Sequence, residues 1–89
     1  MRAVITVIGK DRIGIIAGVT TILAENEINI LDISQTILQD FFTMVMIVDT
    51  KKCEMKFEDL QNRLRVKGEE LDLSIRIQHE DIFNSMHNI

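Results

Sequence analysis

Three patterns of apolar residues succeed one another along this chain: near-continuous runs, helical spacing and strict alternation. Between Arg2 and Ile8 the apolar residues Ala3, Val4, Ile5, Val7 and Ile8 leave only Thr6 polar. So unbroken a β-branched run predicts a central strand covered on both faces. From Gly14 to about Glu25, apolar Ile15, Ile16, Val19, Ile22 and Leu23 fall one, four, seven and eight positions from Ile15. That spacing predicts an amphipathic helix lying on a sheet.

Asn29 to Leu38 reads as a second strand, with Leu31, Ile33 and Ile37 on the core parity and Asp32, Ser34 and Thr36 on the other. Gln39 and Asp40 interrupt the pattern before the apolar run Phe41 to Val48, which predicts a hairpin into a buried third strand. Glu54 to Lys67 carries Phe57, Leu60 and Leu64 on one side and Asp59 four residues before Arg63 on the other. This predicts a second helix with a surface ion pair, ended by Gly68. Leu71, Leu73, Ile75 and Ile77 then alternate with Asp72, Ser74, Arg76 and Gln78, the signature of a fourth strand with one solvated face. After the acidic pair Glu80 and Asp81, helically spaced Ile82, Phe83, Met86 and Ile89 predict a short closing helix that covers remaining sheet surface.

Strand, helix, strand, strand, helix, strand is the order of two interlocked βαβ halves: an α+β, ferredoxin-like βαββαβ two-layer sandwich with a short C-terminal helix, one domain over 1–89. Two layers leave one sheet face open, yet the third strand is apolar on both parities. A homodimer follows, by sheet-face packing or by pairing of edge strands.

Charge removes several partner classes. Fourteen acidic against ten basic side chains give a net charge of -4, with the basic residues scattered. Direct nucleic-acid binding, which draws on clustered Lys and Arg, is not expected, and the absence of Trp and Tyr leaves little for base stacking. No apolar run approaches the ~20 residues of a membrane helix. Lys10, Asp11 and Arg12 break the first apolar stretch before a secretory signal would be complete, so a cytoplasmic protein is expected. The single cysteine, Cys53, fits a reducing compartment and a packing or surface role.

The candidate chemistry lies between the first strand and the first helix. Gly9, Lys10, Asp11, Arg12, Ile13, Gly14 and Ile15 place two glycines around three charged side chains, and Asn29 follows fifteen residues after Gly14. The glycines let the backbone turn sharply and let a small molecule approach the free N–H groups of the helix. A carboxylate there gains roughly 0.3–1 kcal/mol from the helix dipole when exposed, up to ~2 when partly buried. Asp11 offers a carboxylate to an ammonium group, and Asn29 offers a donor and acceptors to fix orientation. A structural reading stands beside this one: Asp11 pairs with Arg12 or caps the helix.

These residues resemble the ACT domain, a regulatory module that binds amino acids. Asp32, Ile33, Ser34, Gln35 and Thr36 with Phe42, Thr43 and Met44 look like the small stand-alone ACT proteins akin to the regulator of the glycine cleavage system. Ile13 stands where many ACT domains carry Pro. The resemblance implies a ligand held between the first loop of one subunit and a neighbouring subunit, with loop N–H groups on its carboxylate and Asp11 and Asn29 on the rest. It implies no catalysis, no cofactor and an output passed to a separate enzyme or transcription regulator. In that arrangement Gly14→Val is expected to harm binding more than folding.

Two other readings compete. Acylphosphatases share the element order and pair a loop Arg with a second-strand Asn, which Arg12 and Asn29 could mimic, although Asp11 would repel phosphate. A pure assembly protein would use the loop for nothing. His79, Glu80, Asp81 and His87 form no convincing metal motif, so no metal is expected.

Overall fold

The computed structural model describes residues 1–87, and Ile89 of the expected closing helix lies outside them. The elements are β1 (Arg2–Lys10), α1 (Ile15–Glu25), β2 (Asn29–Leu38), β3 (Phe41–Asp49), α2 (Phe57–Leu71), β4 (Leu73–His79) and α3 (Glu80–His87). The strands form one antiparallel sheet in the order β2-β3-β1-β4. This is the ferredoxin-like α+β arrangement with a closing helix that the pattern predicts.

Register separates the two faces. Ile5 pairs with Met46 on one side and Ile77 on the other, and Val7 with Met44 and Ile75. These rows are buried and join Ile15, Val19, Ile22 and Leu23 of α1 and Leu60 and Leu64 of α2 in one core. On the opposite face Thr6 lies between Val45 and Arg76, and Ile8 between Thr43 and Ser74. There Ile8 is 47% exposed, whereas Val4, at the end where α3 packs against β1 and β4, is buried. The closing helix thus shields one end of a face that is otherwise open.

Several boundaries depart from the sequence reading. Gly9 and Lys10 belong to β1 rather than to the loop, paired with Phe42 and Phe41. Gly68 does not end α2. It sits inside the helix where α2 presses on β4, and a Cβ there would lie 2.7 Å from the Leu73 carbonyl oxygen. The helix runs on to Leu71 and stops at Asp72 in the left-handed conformation, with φ of 60°. On α2 the ion pairs are Arg65–Glu69 at 2.7 Å and Lys67–Glu70 at 3.6 Å, not Asp59–Arg63.

The largest departure is β2. Leu31, Ile33 and Ile37, expected in the core, are 48%, 45% and 53% exposed. A bulge between Ile30 and Asp32 shifts the alternation, so Ile30 faces the helices with Val48 and Ile33 with Met46. Ile33 and Ile37 then share the helix face of the sheet, but at its edge, beyond the cover that α1 and α2 provide. Ile16 also leaves the core at 41% exposure, because one residue past Ile15 the helix has turned its side chain off the sheet.

The two sheet edges differ. Along β4 the Gln61 side-chain amide donates to the Ile77 carbonyl at 3.2 Å, occupying an acceptor on that edge from the flank of α2. The β2 side chains are exposed from Leu31 to Leu38. Among the described residues no helix is long and apolar enough to cross a membrane.

Candidate functional site

The turn from β1 into α1 is Asp11 to Gly14, and three interactions hold it. The Asp11 N–H donates to the Asp40 carbonyl at 2.7 Å, tying the turn to the β2–β3 hairpin. The Arg12 guanidinium donates to the Leu71 carbonyl at the last turn of α2, where a cation also meets the negative end of that helix. Gly14 adopts a φ of 93°, in the left-handed region, and accepts the first helical bond from the Gly18 N–H at 2.8 Å.

That geometry decides between the readings of Asp11. No side chain caps α1, and Asp11 forms no ion pair with Arg12 among the described residues. The first-turn N–H groups of Ile15, Ile16 and Ala17 precede the ladder, which starts at Gly18. A Cβ built on Gly14 would meet nothing within 4 Å, so the side-chain position at this turn faces open space. Ile13, next to Gly14 in the chain, is fully exposed, and Leu38 at 72% and Phe41 at 57% are exposed at the β2–β3 hairpin to which Asp11 is tied.

The two glycines differ. Gly9 is extended backbone in β1, and a Cβ there would press on the Leu73 side chain and come 3.2 Å from the Asp72 carbonyl oxygen. Its role is close packing under β4, and only Gly14 serves the turn.

Asn29 does not join the loop within one protomer. It pairs with Asp49, which pairs with Arg2, whereas the loop begins after Lys10, opposite Phe41. Eight strand steps separate the two ends, roughly 25 Å at the rise of a β-strand. Asn29 is exposed beside the Asp49 carboxylate, whose pKa is lowered first by the Lys51 N–H that donates to it at 2.9 Å and next by the N-terminal amine at 3.2 Å. For the same reason Arg12 and Asn29 form no acylphosphatase-like pair in one chain, and Arg12 is held at Leu71.

Sequence reasoning missed the groups that anchor the turn. Asp40 and Leu71 contribute main-chain carbonyls, which carry no residue-type signal, and Leu71 is 59 positions from Arg12. The hairpin prediction could have placed Asp40 near the turn, since β3 must return along β1.

A split βαβ sheet with a glycine turn into its first helix defines the ferredoxin-like α+β class of domains. The chain belongs to the ACT domain family, whose model matches residues 2–78. It is 56% identical to a UPF0237 protein of Clostridium acetobutylicum over the full length of both. Its structure resembles an ACT domain protein from Streptococcus pneumoniae with a TM-score of 0.83 and 44% identity, covering 93% of each chain. It also shares the fold of a protein assigned as a glycine cleavage system transcriptional repressor, with a TM-score of 0.73 and 24% identity, over 86% of this chain and 44% of that one.

Proposed function

We propose that this chain is a cytoplasmic, non-enzymatic sensor that binds an amino acid at the Asp11–Ile15 turn and passes the state of that site to a separate enzyme or transcription regulator. The observation that carries the reading is the open space at Gly14 before the uncapped first turn of α1. The amino acid's carboxylate faces the N–H groups of Ile15, Ile16 and Ala17, and the Asp11 carboxylate takes its ammonium group. Membership of the ACT domain family supports a regulatory rather than a catalytic output.

The separation of Asn29 from the turn supports a site completed by a second copy. If β2 pairs antiparallel with β2 of another copy about a two-fold axis, Asn29 of one comes opposite the Leu38 end of the other, the end that carries the turn. Ile33 and Ile37, exposed on the helix side of that edge, become buried in the same step. The ligand then stabilises the pair, because it binds the joined state better than the separate chains.

Thermal unfolding with each of the twenty amino acids tests this reading. One or a few are expected to raise the midpoint with concentration and to tighten self-association, and Asn29→Ala is expected to abolish both effects. No shift with any amino acid, or a shift that survives Asn29→Ala, would overturn it.

A further inference from the structure

Asp59 and Arg63 stand one helical turn apart with the spacing of a favourable ion pair, yet they form none, although Arg65–Glu69 and Lys67–Glu70 do on the same helix. Both line a groove between α1 and α2 with a volume of about 540 Å³. Ile22, Met55 and Val66 provide its apolar lining, and Glu25 reaches it from α1. Val66 is 45% exposed, an apolar residue left uncovered in the middle of a charged helix. The groove therefore holds one cation and two carboxylates that no ion pair among the described residues engages, arranged around apolar surface.

We infer that this groove is a second binding site, for a zwitterion with apolar side chains of about dipeptide size. Arg63 takes the terminal carboxylate with its planar pair of donors, Glu25 and Asp59 take the ammonium group, and Ile22, Met55 and Val66 bury the side chains. Size argues for two residues rather than one, since pockets of ~300–1,000 Å³ suit ligands larger than a single amino acid. Opposite charges within one groove select a zwitterion over a simple anion or cation, because a ligand of single charge leaves one protein charge facing its like. The groove runs along the outer surface of the two helices, from Gly18 and Glu70 near the turn to Glu25 and Asp59 at the other end. Its ligand groups Glu25, Asp59 and Arg63 are not those of the Asp11–Ile15 turn, so it stands or falls apart from the sensor reading.

The probe is the dipeptide Leu-Leu, compared with its N-acetylated and C-amidated forms by calorimetry and thermal shift on the full chain. Saturable binding of Leu-Leu is expected, weakened about fivefold or more by either blocking group, by Arg63→Ala and by Glu25→Gln, as loss of a partly exposed charge contact predicts. Asn29→Ala is expected to leave this binding unchanged, which separates it from the site at the turn. Circular dichroism is the check that the exposed Arg63 and Glu25 variants remain folded. Equal binding of the blocked dipeptides, binding that survives Arg63→Ala, or no saturation by millimolar Leu-Leu would overturn the assignment.

Discussion

Gly9 and Gly14 flank the same charged residues and do opposite work. At Gly14 the backbone is left-handed and the surroundings are empty, so a side chain costs conformational energy and meets no neighbour. Gly14→Ala is expected to lower unfolding free energy by about 1–2 kcal/mol, measured by urea denaturation, with a circular dichroism spectrum unchanged. A branched residue such as Val is worse still, so Gly14→Val, expected to harm binding more than folding, is also expected to cost folding stability through backbone strain at the turn. At Gly9 the constraint is its cross-strand neighbour Leu73 and the Asp72 carbonyl before it. The sequence showed two glycines and could not tell a strained turn from a tight contact, because the contact is made by a residue far along the chain.

Elements were legible where one strand or helix determines its own pattern. The alternation of Leu73, Ile75 and Ile77 against Ser74, Arg76 and Gln78 comes through, since α2 covers one side of β4, whereas Leu71 and Asp72, read as the start of that strand, close α2 instead. β2 misled, because its alternation identifies a strand but not its place at the rim of the sheet, where the apolar side lacks cover. Gly68 misled for a related reason: glycine marks helix ends by conformation and helix crossings by size, and spacing alone does not separate them. Gly68→Ala provides the test. Alanine gains helix propensity of ~1 kcal/mol, but a Cβ 2.7 Å from a carbonyl oxygen forces α2 off β4. The expected net effect is a loss of about 1–3 kcal/mol in unfolding free energy, whereas a stabilised variant would show that the crossing yields without strain.

At the scale of the molecule, the split βαβ order emerged from the sequence because each element's neighbours are set by short connections. The turn was also located from sequence, but the distance between it and Asn29 was not, since only the register of three strands reveals that the two occupy opposite ends of the sheet. In the assembly proposed above, a second copy joins them. Ile33→Lys changes an edge residue already 45% exposed, so the isolated chain is expected to keep its stability within about 0.5 kcal/mol. Its self-association, followed by sedimentation equilibrium, is expected to weaken roughly tenfold or more. An unchanged association constant would place the contact elsewhere.

The bond from Gln61 to the Ile77 carbonyl has a consequence for how large such assemblies grow. A sheet receptive along both rims can recruit copies without limit and become a fibre. Here a side chain of the same protein already holds one carbonyl of β4, so growth through that strand has to displace it, which favours the pair proposed above over a fibre.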